Sequence, residues 1–458
     1  MTEQSITQLQ ARWQEEMSLS LADWEGHFFR EACRQAQQAA RAWLEKVDAW
    51  LLEHKPQGWQ VVGMRKRTLV TRFGEVTFRR RLYRDEAGRY RFLLDEVLGL
   101  PAHQAASPAV MEAVVVLASA VAFAQVAAIL ALLTAGVLSG STVWRVVQRV
   151  GQRVHEAEEA EVERVFGQGQ APQRRGQRVA KRLYVEADGV MVRQRTRQGR
   201  TRWKELRLGV AYDDSGMERV YLQGSKRPDF WEGASVVWGE VWDWGRVQEV
   251  VVHGDDAHWI DGSRMLHTRV VRQWDGFHVA RAAYRAAGSA LGKALSQALQ
   301  AGDRAEVRRL WAKVPKPGKK ASKRRQAAWR WLEAHLNDLR MVRWWRQVGR
   351  PEGAEVETLG HIESVVGAVV AQRMKGQRRH GSPSGAQHMV KVLQVVWNRE
   401  VDRWCTRPGP KAVVESPQMR PSSRAGRHSR HDPGDWLQVR VPFLHGPIPT
   451  EPSPCASR

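Results

Sequence analysis

The sequence predicts a multidomain chain of mixed α+β and α/β character: a mixed sheet covered by helices and interrupted by a helical insertion, preceded by a helical and small-β N-terminal region. Three observations carry this. The 458 residues suffice for two or three domains, each with its own core. Apolar residues recur at three- and four-residue intervals over residues 8–54, whereas from Arg182 onward β-branched runs alternate with polar turns. The chain also carries 72 Lys and Arg against 49 Asp and Glu, a net charge of +23, which points to a polyanionic partner rather than a neutral metabolite.

Residues 1–58 read as an N-terminal helical segment, with Trp13, Trp24, Phe28, Trp43, Val47, Trp50 and Leu51 on its apolar side and Pro56 and Gly58 ending it. Nothing at its start resembles a signal peptide. Residues 59–100 have the composition of short antiparallel strands and carry Arg65, Lys66, Arg67, Arg72, Arg79, Arg80, Arg81 and Arg84. Two readings stand for these cations, a solvated face or a sheet that contacts phosphates. Residues 101–166 are helical. The apolar stretch 109–138 is interrupted by Glu112, Ser119, Gln125 and Thr134, which favours a buried hairpin over a membrane span. Ser139 or Ser141 then caps a helix whose outward Arg145 and Arg149 suit a helix-turn-helix reading head, as they suit any surface helix. A separate acidic helix, HEAEEAEVERVF, and a linker over residues 167–180 close this part.

Residues 181–300 change to strands. RLYVEADGVMVRQR, WKELRLGVAYDD and RVYLQGS make an antiparallel meander; a helix over 229–244, strand VQEVVVHG, a helix from Ala257, strand RVVRQW and a long helix over 279–299 follow. That is the order of a ribonuclease H-like domain. Asp188 and Asp255 are expected at the ends of adjacent strands, and Glu363 near the start of a helix carrying Val365, Val366, Val369 and Val370. Each has an ordinary explanation: Asp before Gly is a turn former, Glu363 complements a helix dipole, and Asp256 is either a competing ligand or a helix cap. Only the ordered set in a basic chain suggests a carboxylate cluster for divalent cations acting on phosphodiesters. The three cysteines, Cys33, Cys405 and Cys455, form no CxxC pair and suggest a reducing cytosol.

The segments LYVEADGVMVRQR, LRLGVAYDD, VVHGDDAHWI, WDGFHVARA and GHIESVVGAVVAQRMKG, with FGEVTFRRRLYRDEAGRYRFLLDEVLGL and SGSTVWRVVQRVG upstream, resemble those of the ISLre-type insertion-sequence transposases, a bacterial DDE family. The resemblance covers most of residues 60–400. It implies Asp188, Asp255 and Glu363 as catalytic acids and metal ligands, with Mg²⁺ or Mn²⁺, two ions, as cofactor. It also implies that Asp275 and His278 match the D-x-x-H element of transposases with helical insertions, although a strand-end Asp and a capping His explain them too. Asp256 stands where the family carries Gly, and GSPS, around Pro383, where it carries Ser-Trp-Ser.

Residues 301–358 are expected as the helical insertion. Residues 316–346 hold ten Lys or Arg, among them Lys319, Lys320, Lys323, Arg324 and Arg325, interleaved with Trp329, Trp331, Trp344 and Trp345. Such a mixture packs helices, presents charge to phosphates, or does both. Residues 359–404 complete the core, with Arg373, Lys375, Arg378 and Arg379 after Glu363 as further DNA contacts, and 405–458 form a tail rich in Pro, Ser and Arg. The expected protein is a cytoplasmic, nucleoid-associated transposase without a membrane segment. It would act as a homo-oligomer on double-stranded DNA, at the element's terminal inverted repeats and the target. The alternative is an inactive, DNA-binding descendant of such an enzyme.

Overall fold

A helix over Leu21–Glu53 opens the computed structural model, which describes residues 21–196, 198–225, 227–255, 257–337, 360–375 and 381–406. The expected helix start at residues 8–20 lies outside them. Ala40, Leu44, Val47 and Leu51 face a three-stranded antiparallel sheet, β1 (Gln60–Thr71), β2 (Gly74–Arg84) and β3 (Tyr90–Arg91), and meet Leu69, Val76, Phe78 and Leu94 there. The open edge of β2 is closed by side chains of this helix. The Arg79 N–H donates to Glu45 at 3.1 Å and the Arg81 N–H to Asp48 at 3.0 Å. Not all of the basic stripe faces water. Arg67 and Arg80 are buried and converge on Asp95 at 2.5 and 2.9 Å, and Arg81 pairs with Asp48, so these three hold the sheet together. Arg65, Lys66, Arg72, Arg79 and Arg84 are exposed.

The apolar stretch forms two helices, Pro108–Ala120 and Phe123–Leu133, but the expected burial holds for the first alone: the second buries Val126 and Leu130 and leaves Leu132 and Leu133 exposed. Ser107 caps the first, with Pro108 at its opening position. Among the described residues no helix is long and apolar enough to cross a membrane. Ser139 caps a helix over Gly140–Val162, and the expected separate acidic helix is its continuation, since no residue between breaks the pattern. Gly151 is required there. A Cβ would lie 2.1 Å from the His388 carbonyl of the crossing helix Pro383–Trp397. A buried Lys391–Glu158 pair at 2.5 Å, joined by Gln394, ties the two helices.

The second sheet has five strands in the order β6-β5-β4-β7-β8. β4 (Arg182–Arg195), β5 (Thr201–Tyr212) and β6 (Glu218–Gln223) are antiparallel neighbours, while β7 (Glu249–Gly254) and β8 (Val270–Trp274) run parallel to β4. One face packs Tyr184, Val190, Val192, Leu208 and Val210 against the helices above; the other packs Leu183, Val185 and Ala187 against Phe230, Trp231 and Trp238 of the helix Phe230–Gly239. Helices thus cover both faces, as a central sheet with a parallel half requires.

Two expected elements differ. The helix from Ala257 is a 3₁₀ stretch, His258–Met265. The long helix over 279–299 is two, Gly276–Ala287 and Ser289–Ala301, broken at Gly288, whose φ of 84° with ψ of −179° no longer continues a helix. Both pack with Arg304–Trp311 and Lys323–His335 in a separate core of Val279, Leu295, Leu299, Val307, Leu310, Trp329 and Leu332, which begins at Trp274 rather than at residue 301.

Candidate active site

Parallel pairing fixes the register of β4 and β7 at 67 residues, with Glu186 beside His253 and Ala187 beside Gly254. The next step sets Asp188 beside Asp255. β7 and β8 are offset by 20, Gly254 beside Trp274, so Asp275 follows in the same row. The backbone positions of Asp188, Asp255 and Asp275 therefore follow one another in a row, Asp188 within β4 and the other two just past the ends of β7 and β8, where the Asp275 N–H donates to the Gly254 carbonyl at 3.1 Å. Asp188 was expected at a strand end before a Gly turn. It lies instead in the middle of β4, which runs on to Arg195, and the sheet edge is made by the neighbours stopping short.

Each of the three acids accepts a backbone N–H: Asp188 from Gly189 at 2.7 Å, Asp255 from Ala257 at 2.9 Å and Asp275 from His278 at 2.9 Å. Burial pushes the Asp188 carboxyl above its ordinary pKa, and the neighbouring Asp255 charge adds to this against the Gly189 bond. Asp275 is opposite. Burial works to raise it, but the His278 ring 3.1 Å away and the His278 amide outweigh burial and hold it at about 2. The same contact raises His278. Asp275 is also the N-cap of the helix Gly276–Ala287, so its structural and site roles coincide.

Beneath this row lies a second one that sequence reasoning missed. Glu186, His253 and Gln273 are lateral neighbours on the same strands and face, and all three are buried. The Glu186 carboxylate, wholly excluded from solvent, accepts the N–H of Gly360 at 3.0 Å, of His361 at 3.2 Å and of Ile362 at 3.0 Å, and the Tyr212 hydroxyl. Burial alone would raise its pKa; the His253 ring at 3.4 Å and these donors lower it to about 2. The amides belong to the start of the helix His361–Val365, which bears Glu363 and widens into a π turn over Val366–Ala371. A buried carboxylate at a helix N-terminus satisfies orphan donors and the dipole together. Glu186 therefore pins the Glu363 helix to the sheet two residues from Asp188. The spacing Glu186-x-Asp188 in VEADG was the available signal, because alternate residues of a strand share a face. Both amide atoms of Gln273 lack a hydrogen-bond partner among the described residues.

Glu363 itself is exposed, in the first turn of that helix. Among the described residues no three His, Cys, Asp or Glu side chains lie close enough together to hold a metal ion. The Asp188–Asp255 pair still suits a divalent cation. Two adjacent carboxylates, one with its ionised form disfavoured by burial and by the other, gain from a shared positive charge. Asp256 lies outside the described residues, as do Arg378, Arg379, Trp344 and Trp345.

The expected DNA contacts divide. Arg145, Lys319, Lys320, Lys323, Arg324 and Lys375 are exposed. Arg149 reaches the His103 carbonyl at 3.3 Å, and Arg325 the Ala286 carbonyl at 3.3 Å. Arg373 donates to the Ala118 carbonyl at 2.7 Å and lies over the Phe123 ring, which ties its helix to the apolar hairpin. Trp329 is buried against Trp311 and Trp331 meets Trp274 edge-on, so both tryptophans of this basic helix serve packing.

A curated relative from Streptococcus gallolyticus, named UPF0236 protein in vanSb 3'region, is 32% identical over 182 residues. The match takes in 40% of this chain and 37% of the relative, so the chain spans little over a third of that protein's length. The model of the uncharacterised protein family UPF0236 matches residues 14–404. That span holds both sheets, the acid row and the helix pinned by Glu186, and the chain belongs to this family.

Proposed function

We propose that this protein is a metal-dependent polynucleotidyl transferase, a DDE transposase that cuts DNA at the ends of an insertion sequence and joins them to target DNA. The observation that carries the reading is the register: the parallel β4–β7 pairing brings Asp188 and Asp255, 67 residues apart, into one row, and Glu186 fastens the Glu363 helix to the same face. The sheet order β6-β5-β4-β7-β8, antiparallel in its first three strands and parallel in the rest, supports a ribonuclease H-like core. The surplus of cations supports a DNA substrate.

Asp188 and Asp255 would hold Mg²⁺ or Mn²⁺, with Glu363 joining them from its exposed position; the bound ions would supply water activation and charge neutralisation at the scissile phosphate. The chain's own residues supply the frame. Asp188 is held within β4 and Asp255 follows directly on β7, and Glu186 sets the height of the Glu363 helix. His278, whose protonated form is favoured by its contact with Asp275, stands beside the row where a phosphate would approach. Strand transfer joins two element ends, and a homo-oligomer on DNA would offer one site to each.

The test is a Mg²⁺-dependent nicking assay on duplex DNA carrying the element's terminal inverted repeat. Asp188→Asn and Asp255→Asn should abolish nicking, a loss of at least about a thousandfold, while DNA affinity stays within about twofold of the parent. Normal nicking by either variant removes that residue from the site. A second reading, prompted by the exposed position of Glu363, is an inactive DNA-binding descendant. Binding by the parent chain without nicking in Mg²⁺ or Mn²⁺ would select it.

A further inference from the structure

β4 does not stop at the acid row. From Asp188 it runs seven residues further to Arg195, paired along its length with β5 and touching Gly381 by one bridge at Gln194, because its other neighbour β7 ends at Gly254. At about 3.3 Å per residue the hairpin extends about 23 Å beyond the carboxylates. Its turn is closed by Thr196 donating to the Arg200 carbonyl at 2.7 Å, with Gly199 at a φ of 77°. Between residues 189 and 204 the sequence places Arg193, Arg195, Arg197, Arg200, Arg202 and Lys204 and no acid at all. Among the described residues no carboxylate pairs with Arg195, Arg200, Arg202 or Lys204, and Arg195, Arg200 and Arg202 are exposed.

The two faces of the hairpin are unequal. Val190, Val192 and Gln194 are buried on the side shared with Asp188, and the Arg195 N–H donates to the Gly381 carbonyl at 2.9 Å, which steadies the hairpin on the body of the protein. On the other side Arg193 and Trp203 are cross-strand partners. Trp203 is 60% exposed, and the Arg193 guanidinium lies over one face of its ring, 5.0 Å from the centroid. An indole left in water on a rigid strand, flanked by guanidinium groups, costs hydration free energy unless something covers it. A base stacks on such a ring while its phosphates meet the arginines. An acidic peptide would satisfy the arginines but not the open ring face, and a lipid surface would favour one continuous apolar face rather than cations on both.

We infer that the β4–β5 hairpin is a nucleic-acid-binding arm, whose arginines hold phosphates of the strand leading away from the acid row and whose Trp203 stacks on an unpaired base. The inference rests on the nucleic-acid reading of that row but not on cleavage. Binding is therefore measured by fluorescence anisotropy in EDTA, apart from any nicking, with two probes: a blunt duplex and the same duplex with a short single-stranded extension. Trp203→Ala should lose about tenfold in affinity for the extended probe and less than about twofold for the blunt one, and Trp203→Phe should recover most of the loss. The triple change Arg195→Gln, Arg200→Gln, Arg202→Gln should weaken both probes and lower the slope of log affinity against log salt by about two to three. Melting temperatures equal to the parent's would show that these exposed positions leave the fold intact. Parental affinity of Trp203→Ala for the extended probe, or a parental salt slope in the triple variant, overturns the inference. A parent that binds both probes as expected yet never nicks leaves the arm standing and removes the transferase reading instead.

Discussion

Asp213 closes the turn between β5 and β6, where it accepts from Arg178, from the Trp242 indole at 2.9 Å and from the Ser215 amide at 3.0 Å. Burial opposes its charge, but these donors prevail and hold its pKa at about 2. Its folded pKa is depressed, so its contribution is present above the unfolded value of about 3.9 and is lost as pH falls through about 2. Asp213→Asn should therefore lower stability by about 1–3 kcal/mol at pH 7, and the gap from the parent should close between about pH 4 and pH 2. Denaturant melts across that range check it; a gap independent of pH would place the cost in packing rather than charge. At the same scale, Asp188 and Asp255 were legible because acids after β-branched runs in a basic chain are unusual. Glu186 was not, since a glutamate inside a strand resembles an exposed position until the helix that it caps is placed above it.

Among elements, the helix Lys323–His335 separates two uses of one sequence. Trp329 is buried between Trp311 and the core, with Lys316 over its ring, whereas Lys319, Lys320, Lys323 and Arg324 face outward. Trp329→Ala should cost about 3–5 kcal/mol in a thermal or denaturant melt. Replacing Lys319, Lys320, Lys323, Arg324 and Arg325 together by Gln should change stability little and weaken DNA binding, with a shallower salt slope. Unchanged binding would make these helices a scaffold and shift the DNA path to the exposed arginines of β1, β2 and the β4–β5 hairpin. Helix and strand types were readable from periodicity, and the polar interruptions of residues 109–138 excluded a membrane span, but they did not show that the second of the two helices there leaves Leu132 and Leu133 exposed. The break at Gly288 was hidden, because glycine inside a helical pattern is common and only the turn into a new packing direction required its positive φ.

For the molecule as a whole, a net charge of +23 should make duplex binding fall steeply with salt, by about a hundredfold or more between roughly 50 and 200 mM. Anisotropy titrations at several salt concentrations test it, and a flat response would exclude phosphate-dominated binding. The same charge illustrates how far sequence reaches. Composition fixes the long-range field, and periodicity of two or 3.6 residues fixes most elements, because both depend only on side-chain type and local backbone geometry. Pairing between distant segments does not follow from either. The row of Asp188, Asp255 and Asp275 exists because two parallel registers are set by packing on both sheet faces, where a slip of one residue would turn every buried side chain to the wrong side. Likewise Arg67 and Arg80 became structural and Arg195 and Arg202 stayed exposed through burial alone, since a guanidinium is the same in sequence whether a buried carboxylate such as Asp95 or water awaits it.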